Sequence, residues 1–498
     1  MDRFPFSVEA LSSSSVHALP MLLLLATGLV LMLLDAFRAQ QSMPWLTAAG
    51  LLASGLWAAL SAPGSSRIIF FGMMETGGIA PMIHLFLCLA GALTLFFLQD
   101  YLDRQGRRVY SVYPLLVFAV LGMIMLANAN DLFMTFIGLE TMSICLYIFA
   151  ALFKTDPKSN EAGLKYFLLG AFASAFLLFG ISLLYGITGF TNLSLLGTPE
   201  SLARMQENES LLYVAAGLLL IGFLFKVAAF PFHNWTPDVY TGTPTPLAGF
   251  MATASKLSAF VALAVVMQKA QLSQFDKLNT VVAISALFTM LYGNIVAVQQ
   301  SNLKRMLAYS SIAHTGYVLL GIIALEFGFE AVVFYMFVYT LMNMGAFGLI
   351  GLAEQQFADT DVSHWQGLGQ RLPWFAGALA VFLFSLAGIP PLAGFMTKYQ
   401  VFLSAIRGDY VALAVVGILT SVVGAFYYIR VIVQMFFRDP SEASADTQIS
   451  LARVPMIGVA ILVGLIVLFG IFPSLVLDPI RAAFSASGEA LTQLGASF

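Results

Sequence analysis

The sequence predicts an all-α polytopic membrane protein with about 14 transmembrane helices. Three observations carry this prediction: 59% of the 498 residues are hydrophobic, only 10% are charged, and long apolar runs recur along the chain. A soluble domain is roughly 25% charged, and a bilayer span needs about 20 apolar residues. So little charge cannot cover several soluble domains, and the net charge of −3 shows no basic excess. This excludes a soluble enzyme, a nucleic-acid binder and a disordered protein.

Fourteen apolar runs are bounded by charged residues or by Pro and Gly turns, and each run predicts one span. In chain order they are Ala18–Phe37, Met43–Ala62, Ile79–Gln99, Tyr110–Ala127, Leu132–Phe153, Gly163–Tyr185, Leu211–Ala229, Pro246–Met267, Leu278–Val298, Met306–Leu325, Ala331–Leu352, Pro373–Ile406, Val411–Phe436 and Val454–Leu477. No run alternates polar and apolar residues as a transmembrane β-strand does. The first run lacks a basic leader and a small-residue cleavage site, so we expect a retained helix.

Basic residues between the runs predict the orientation. Fourteen spans place both termini on one face. That face carries Arg3, Arg67, Arg204, Lys269, Lys277, Arg407 and Arg481, and the other carries Arg38, Arg104, Arg107, Arg108, Lys154, Lys158, Lys304, Arg305, Arg371, Arg438 and Arg453. Because cytoplasmic loops are enriched in Lys and Arg, seven residues against eleven predict that both termini lie outside the cytoplasm.

The chain offers few ligands for a redox centre. Its two cysteines, Cys88 and Cys145, lie inside apolar runs and cannot hold an iron–sulfur cluster by themselves. The five histidines are too dispersed for paired haem ligands. We therefore expect no bound cofactor, no metal site and no catalytic redox residue in this chain.

Charged residues inside the apolar runs are the candidate functional residues. A charge at the bilayer centre costs roughly 2.5–3.5 kcal/mol, so such residues are rarely accidental. Two interpretations remain open: neutralised structural pairs, or a relay of protons or ions. Histidine within the same runs can also carry protons near neutral pH. The candidates are Glu140, Lys165, Lys226, Lys256, Lys398, His233 and His314.

Prolines predict that two spans are broken. Pro231 and Pro237 follow the seventh run, and Pro390 and Pro391 lie in the middle of the twelfth. Proline removes a backbone donor and clashes with the preceding turn. Irregular backbone at membrane depth persists only where protein or a water-filled cavity satisfies it. Transporters place such breaks at corresponding positions of two repeats, at the ion site.

The spacing of the breaks predicts an internal repeat. The broken spans are five apart, and each has a lysine beside its break, Lys226 and Lys398. This predicts two five-helix repeats, spans 4–8 and 9–13, which are inverted because five is odd. The expected domains are 1–108 for spans 1–3, 109–270 and 271–437 for the repeats, and 438–498 for span 14 and the tail.

Five segments carry specific motifs in combination. They are NDL with GLE at 130–140, LKYFLLGAFAS at 164–174, FHNWTPDVYTGTPTP at 232–246, NLKRMLAYSSIAH at 302–314 and AGIPP at 387–391. These segments resemble the subunit N family of bacterial proton-translocating NADH:quinone oxidoreductase, complex I. The wider family of antiporter-like subunits includes subunits L and M and the Mrp-type cation/proton antiporters. Thr236-Pro237-Asp238 after the first break is more similar to subunit N than to these.

The resemblance implies roles for individual residues. Glu140 and Lys226 would form a buried ion pair, Lys256 would continue the polar axis, and Lys398 would be the exit-side carrier. Lys165 would modulate Lys226. The resemblance also implies two inverted five-helix repeats, in agreement with the spacing of the breaks.

The implied function is proton translocation in the membrane arm of the oxidoreductase, driven by redox chemistry in other subunits. FMN, iron–sulfur clusters and quinone would belong to those partners. The implied partners are the antiporter-like subunits M and L, the small subunits J and K, the peripheral arm and the lipid bilayer. The implied location is the bacterial inner (plasma) membrane, with both termini periplasmic.

Two alternatives to this function stay open. One is a stand-alone Na⁺/H⁺ antiporter or one subunit of an Mrp-type assembly. The other is a purely structural membrane scaffold, which has no need of four lysines inside its spans.

Overall fold

The computed structural model describes residues 8–61, 66–107, 109–354, 357, 360–440 and 453–495. This part of the chain forms twenty α-helices and one short β-hairpin. The helices are α1 Val8–Ala36, α2 Met43–Leu60, α3 Ala80–Arg104, α4 Val112–Ala127, α5 Leu132–Ala150, α6 Pro157–Thr188, α7 Leu193–Leu196, α8 Pro199–Glu207, α9 Glu209–Val227, α10 Trp235–Gly242, α11 Thr245–Lys269, α12 Asp276–Val298, α13 Leu303–Ile323, α14 Leu325–Ala353, α15 Leu368–Arg371, α16 Pro373–Ala387, α17 Ala393–Arg407, α18 Val411–Phe437, α19 Arg453–Ile471 and α20 Ser474–Gly495.

The predicted all-α polytopic fold is confirmed. Among the described residues, twelve helices are long and apolar enough to cross a membrane. Two shorter apolar helices, α4 and α16, occupy the places of predicted spans 4 and 12. Each of the fourteen predicted runs therefore contains a helix, and the twelfth and fourteenth runs also extend into a second one, α17 and α20. Of the residues named for the runs and the charge bias, Arg3, Ala62 and Arg108 lie outside the described residues.

Two local predictions need correction. The run Val454–Leu477 is not one helix, because α19 ends at Ile471 and α20 begins at Ser474. Pro473 lies between them, and proline lacks the N–H that a continuous helix requires. The sequence also did not predict the antiparallel hairpin of β1 Arg67–Ile69 and β2 Met74–Thr76, whose strands are too short to show an alternating pattern.

The helices cross in alternate directions between two faces. We call the face with residues 66–79, 128–131, 189–208 and 269–275 the terminal face, because α1 begins there and α20 lies there. We call the face with residues 151–156, 243–244, 299–302 and 360–372 the opposite face. Contacts within each face support this division. Lys269 forms an ion pair with Glu75 on the terminal face, and Arg305 pairs with Asp238 on the opposite face at 2.8 Å.

The centre of the molecule is formed by α11, α13 and α14. The most apolar stretches of α13 and α14 are entirely buried, and that of α11 is 94% buried. By contrast, α1, α18 and α19 bury a third or less of theirs. Because neighbouring helices cover nearly all of their surface, groups on the central three are shielded from lipid.

Both predicted helix breaks are present. Helix α9 ends at Val227, Ala228 takes a left-handed backbone with φ 62°, and α10 begins seven residues later at Trp235. Helix α16 ends at Ala387, Gly388 has φ 86°, and α17 begins at Ala393.

Neighbouring side chains satisfy the irregular backbone of the first break. The N–H of Phe230 donates to Thr289 Oγ1 at 2.8 Å, and Ser285 Oγ donates to the Phe230 carbonyl at 2.6 Å. Trp235 Nε1 donates to the carbonyl of Phe225 at 3.1 Å, and this carbonyl also accepts from the N–H of Ala228 at 3.0 Å.

Two loops show the same local arrangement on opposite faces. The N–H of Leu132 at the start of α5 donates to the Thr191 carbonyl at 2.9 Å, and the N–H of Leu303 at the start of α13 donates to the Thr360 carbonyl at 2.8 Å. The flanking bridges are Asp131 with Asn192 and Asn302 with Asp361. Inverted repeats require such a correspondence between spans 5–6 and 10–11. The boundaries 109–270 and 271–437 stay a prediction.

Candidate functional site

Three of the candidate lysines lie in the interior. The residues Lys226, Lys256 and Lys398 expose 2%, 1% and 6% of their surface. They belong to α9, α11 and α17, so the row that they form spans both helix breaks. A buried ammonium group needs hydrogen-bond partners, and those partners decide what the row can do.

Lys226 lies one residue before the end of α9 and donates to two hydroxyl groups. The distances from Nζ are 2.9 Å to Ser143 Oγ on α5 and 3.1 Å to the Tyr166 hydroxyl on α6. The ring of Tyr166 also lies 5.4 Å from Nζ, within the range of a cation–π contact. Tyr166 stacks on Trp235 with ring centroids 4.5 Å apart. The aromatic pair thus separates Lys226 from the opposite face.

Glu140 does not form the expected ion pair with Lys226. Its carboxylate accepts a hydrogen bond from Ser174 Oγ on α6, and no ion pair among the described residues includes it. The reason is geometric: Glu140 lies almost one helical turn from Ser143 on α5 and is partly exposed, whereas Lys226 is buried against Ser143.

A small cavity lies between Lys226 and Ser174, the hydrogen-bond partner of Glu140. Ser143, Ser174 and Lys226 all line it, and its volume is about 10 Å³. That is roughly the room that one water molecule needs, and the three polar groups can supply the hydrogen bonds that such a water requires. Glu140 and Lys226 are therefore linked through hydroxyl groups rather than directly.

Lys256 has three oxygen partners, and none is a carboxylate. Its Nζ donates to the Ser311 carbonyl at 2.9 Å, to Ser311 Oγ at 2.7 Å and to Thr315 Oγ1 at 2.9 Å. Three acceptors match the three donors of an ammonium group. Thr315 Oγ1 in turn donates to the carbonyl of Val227 at 2.7 Å. One hydroxyl thus connects Lys256 with the last residue of α9.

His314 lies between the second and third lysines. It interacts electrostatically with both Lys256 and Lys398. Its Nδ1 is hydrogen-bonded to the Tyr335 hydroxyl at 2.8 Å, and its Nε2 to the Tyr428 hydroxyl at 3.2 Å. Both ring nitrogens therefore have a hydroxyl partner, so the ring can exchange a proton on either side.

Lys398 is held at the second break. Its Nζ donates to the carbonyl of Ala387, the last residue of α16, at 3.0 Å and to Ser421 Oγ on α18 at 2.8 Å. The ring of Tyr317 lies 5.4 Å from Nζ. The Tyr317 hydroxyl accepts from Asn294 at 2.9 Å, which extends the polar contacts to α12.

His233 lies in the first break but contacts none of the lysines. It exposes 3% of its surface, and neither ring nitrogen has a hydrogen-bond partner among the described residues. Its ring packs on Phe230 and Tyr292, with centroids 5.5 and 4.4 Å away. The structure brings His314, but not His233, into the row.

Lys165 is near the opposite face, towards the outer end of its span. Its side chain is 41% exposed and forms ion pairs with Glu161 at 2.6 Å and Asp238 at 2.7 Å. It does not contact Lys226, although the next residue, Tyr166, does. Helix α6 begins at Pro157, six residues before the predicted run, and this places Lys165 only two turns from the helix start.

Three of the four candidate prolines lie in the breaks. Pro231 follows α9, and Pro390 and Pro391 separate α16 from α17. Pro237 does not lie in a break, because it is the third residue of α10. Proline fits the first turn of a helix, where its missing N–H has no intrahelical partner to lose.

Relatives with known names match almost the whole chain. Residues 129–424 match the family described as NADH:quinone oxidoreductase/Mrp antiporter, transmembrane. The chain is 39% identical to NADH-quinone oxidoreductase subunit N of Rhodospirillum rubrum over 484 residues, covering 95% of this chain and 97% of that protein. It is 41% identical to subunit N of Salinibacter ruber over 440 residues, covering 87% of each. The chain belongs to the NADH-quinone oxidoreductase subunit N family.

Solved structures agree with membership in the subunit N family. A chain of respiratory complex I from Thermus thermophilus superposes with a TM-score of 0.79 at 32% identity, covering 93% of this chain and 99% of that chain. The Mrp complex from Dietzia has a chain with a TM-score of 0.83 at 19% identity, covering 96% of this chain and 99% of that chain. The second likeness shows that the fold is shared.

The sequence did not identify the hydroxyl groups that contact the lysines, Glu140 and His314 in this member of the subunit N family. They are Ser143, Tyr166, Ser174, Ser311, Thr315, Tyr335, Ser421 and Tyr428. Spacing could have found some of them. Ser143 is three residues after Glu140, and Ser311 and Thr315 are four apart, so each pair shares one helix face.

Lys304 also differs from the prediction, which counted it as a loop residue. It is the second residue of α13 and exposes only 5% of its surface.

Among the described residues, no group of three or more His, Cys, Asp and Glu side chains could hold a metal ion.

Proposed function

We propose that this chain is an antiporter-like membrane-arm subunit of a proton-translocating NADH:quinone oxidoreductase. The observation that carries the proposal is the buried row of Lys226, Lys256 and Lys398 across both helix breaks, with hydroxyl and carbonyl oxygens as hydrogen-bond partners. A purely structural role is better served by carboxylate partners, because an unpaired buried charge is costly. Neutral oxygen partners stabilise an ammonium group less, and this favours proton exchange.

Glu140 supplies the negative charge that acts on the first lysine. The carboxylate interacts electrostatically with Lys226. A change in the charge or position of Glu140 therefore shifts the protonation equilibrium of Lys226. The Ser174 and Ser143 hydroxyls, with one water, provide the connection.

The proton route continues through the central helices. Lys226 passes a proton towards Lys256, where Thr315 holds the end of α9. His314 and its two tyrosines lie between Lys256 and Lys398, which releases the proton near the second break. His233 and Lys165 have secondary roles: the first as a water-contacting group in the first break, and the second as a modulator of Lys226 through Tyr166.

This chain works as a non-redox subunit of a translocase in our proposal. FMN, iron–sulfur clusters and quinone belong to partner subunits, and redox chemistry there drives the proton movement. The partners are the antiporter-like subunits M and L, the small subunits J and K, and the peripheral NADH- and quinone-handling arm. The complex lies in a bacterial inner membrane, with the terminal face towards the periplasm.

The test of the function is Lys226→Met in the assembled complex. We expect coupled proton transport to be abolished or strongly reduced and quinone reduction to slow, because the relay loses its first base while methionine keeps the volume. Proton uptake and quinone reduction are measured in inverted vesicles at equal complex content. A wild-type proton-to-electron ratio contradicts the relay. Na⁺-dependent proton exchange by the purified chain alone, in liposomes, supports the stand-alone antiporter instead.

The test of the orientation is cysteine labelling. Gln105→Cys places a thiol on the opposite face just after α3, where the residue is exposed. The native residues Cys88 and Cys145 are buried and serve as the unreactive background. We expect a membrane-impermeant maleimide to label inverted vesicles but not intact cells, and the reverse result overturns the orientation.

A further inference from the structure

Two adjoining cavities lie beside the β-hairpin on the terminal face and share no lining residue with the row of lysines. The larger has a volume of about 80 Å³ and the smaller about 20 Å³. Glu75, Ala80 and Asn128 line both of them. Helix α3 begins at Ala80, α4 ends one residue before Asn128, and α11 ends at Lys269. Because these helix ends mark the border of the membrane region, the cavities lie at the depth of lipid headgroups.

Asn128 carries an open acceptor at this border. It exposes 8% of its surface, and its Oδ1 has no hydrogen-bond partner among the described residues. Burying a polar atom without a hydrogen bond is costly, so native proteins nearly always give such an atom a partner. Because Asn128 lines both cavities, a ligand in them can supply the missing donor.

His84 adds a second acceptor to the smaller cavity. Ser54 Oγ donates to the Pro20 carbonyl at 2.6 Å, so it accepts from His84 Nε2 at 2.8 Å. The other ring nitrogen of His84, Nδ1, then keeps its lone pair. Asn128, His84 and the carboxylate of Glu75 all line this cavity. Three acceptors match the three N–H donors of a primary ammonium group, and about 20 Å³ admits a group of the size of water.

The larger cavity has a cationic end and apolar walls. Lys269 Nζ donates to the Glu75 carboxylate and, at 2.8 Å, to Asn130 Oδ1, which leaves one of its three N–H donors for a ligand. The side chains of Lys269 and Glu75 are 11% and 16% exposed. The apolar walls come from α3, α11, α14 and α20, and they are Ile83, Val261, Val265, Phe329 and Phe484. The cavity therefore suits an anionic group that is joined to hydrocarbon.

The two charges at the cavities select the class of ligand. Lys269 repels a metal cation or a lone amine, and Glu75 repels a lone phosphate. A zwitterionic headgroup meets an opposite charge at both residues. Its cationic end must also carry N–H groups, because a quaternary ammonium has no proton to give to Asn128.

We propose that the two cavities bind the headgroup of a zwitterionic phospholipid with a primary amine, phosphatidylethanolamine, from the leaflet at the terminal face. The ammonium group donates to Asn128, Glu75 and His84 in the smaller cavity. The phosphate accepts from Lys269 in the larger cavity, and the apolar walls receive the start of the acyl chains. The lipid thus joins the β-hairpin to the ends of α3, α4 and α11.

The test compares two lipids that differ in N–H donors. The delipidated complex is placed in nanodiscs of phosphatidylglycerol with either phosphatidylethanolamine or phosphatidylcholine. Native mass spectrometry measures the lipid retained by this chain, and hydrogen exchange at residues 66–79 and 128–131 measures local protection. The variant is Asn128→Leu. The matched control is Asn279→Leu on α12, which loses the hydrogen bond from its Nδ2 to the Ser273 carbonyl at 2.7 Å, outside both cavities.

We expect the wild type to retain about tenfold more phosphatidylethanolamine than phosphatidylcholine, the effect of one hydrogen bond to a charged group, and to exchange more slowly in the first lipid. Asn128→Leu loses this preference. Without phosphatidylethanolamine it is at least as stable to heat as the wild type, because its oxygen has no partner to lose among the described residues. Asn279→Leu keeps the preference, since it lies outside the cavities.

Each opposite outcome concerns binding and does not depend on proton transport. Equal retention of the two lipids by the wild type overturns the site, and so does a wild-type preference in Asn128→Leu. Equal protection by soluble phosphoethanolamine in place of the lipid overturns the lipid as the ligand. If Asn128→Leu does not assemble, Asn128→Ala carries the same expectation, and a wild-type preference in that variant overturns the site.

Discussion

Each of the two helix breaks holds a buried lysine, but the hydrogen-bond partners of the two lysines differ. At the first break the lysine precedes the interruption, and its partners are the side-chain hydroxyls of Ser143 and Tyr166. At the second break Lys398 follows the interruption and reaches back to the Ala387 carbonyl that the break leaves open. Each lysine also has a tyrosine ring 5.4 Å from its Nζ.

The two breaks differ in how freely the hydrogen-bond partners of each lysine can move. Two rotatable hydroxyls hold Lys226, whereas a fixed backbone carbonyl and one hydroxyl, that of Ser421, hold Lys398. Glu140 acts on Lys226 electrostatically. In the proposed relay the first break therefore responds more strongly to charge, and the second depends more on a fixed geometry. Variants that exchange these properties test the comparison.

The largest effect is expected from Glu140→Gln. Glutamine can still accept the hydrogen bond of Ser174, but it carries no charge, so the protonation equilibrium of Lys226 no longer responds. We expect coupled quinone reduction to slow by about tenfold or more, within the range for a positioned titratable group, with normal complex content. Proton transport in vesicles and immunoblotting measure the two quantities. Unchanged coupling excludes Glu140 from the mechanism.

The double variant Glu140→Gln with Lys226→Met tests the indirect contact. Removing one partner of a direct buried ion pair is strongly destabilising, and removing both restores neutrality. Because Glu140 and Lys226 do not touch and interact only across hydroxyl groups and a cavity, we expect a departure from additivity in complex content that is far smaller than for a direct pair. A double variant that assembles clearly better than both single variants shows instead that the two residues pair directly.

A smaller effect is expected from Gly388→Ala at the second break. The added Cβ lies 3.0 Å from Lys398 Cδ, at a backbone φ of 86°. A left-handed L-residue costs roughly 1–2 kcal/mol, and the contact displaces the lysine. We expect a lower midpoint of thermal unfolding in detergent and slower coupled turnover. The control is Gly377→Ala on α16, whose added Cβ meets nothing within 4 Å. If both variants show the same thermal midpoint and turnover, the close contact between Gly388 and Lys398 does not matter for either quantity.

The counterpart, Ala228→Gly, should change little. Glycine relieves the left-handed strain at φ 62°, worth roughly 1–2 kcal/mol, but it loses about 0.5–1 kcal/mol in chain entropy. We expect the thermal midpoint to stay or rise slightly, with turnover unchanged. A clear loss of turnover means that the first break also depends on a fixed geometry.

The smallest effect concerns the matching loops on the two faces. Although burial opposes ionisation, hydrogen bonds from the backbone and hydroxyl of Ser363 hold the pKa of Asp361 below its ordinary 3.8. This stabilisation is present above pH 3.8 and is lost as the pH falls through the folded pKa. Asp361→Asn should therefore increase hydrogen exchange at residues 360–371 at pH 7 but much less below pH 3. Equal exchange in wild type and variant at pH 7 excludes the stabilising role.

The sequence predicted the spans, the breaks and the buried charges for a physical reason. Run length sets what can cross a bilayer, and Pro231, Pro390 and the lysines contrast with their apolar surroundings. The hydroxyl partners do not contrast in this way, because Ser, Thr and Tyr in spans also bond their own helix, as Thr135 does to the Asp131 carbonyl. Which hydroxyl faces which lysine depends on helix packing.

Element boundaries caused the remaining errors. Lys304 was counted as a loop residue because Arg305 follows it, but Asn302 caps α13 and draws both residues into the helix. Pro237 was assigned to the break although it fits the first turn of α10. In each case one or two turns of helix decided burial.

The hydroxyl of Thr315 ties the end of α9 to the centre of the molecule. It accepts from Lys256 at 2.9 Å and donates to the Val227 carbonyl at 2.7 Å. The same proton has a second acceptor, the Ser311 carbonyl at 3.1 Å, and the oxygen accepts from Lys256 in either case. In the proposed relay, a shift of the end of α9 would therefore redirect one hydroxyl proton without removing an acceptor from Lys256. The end of α9 can move while the hydrogen bonds of the central lysine persist.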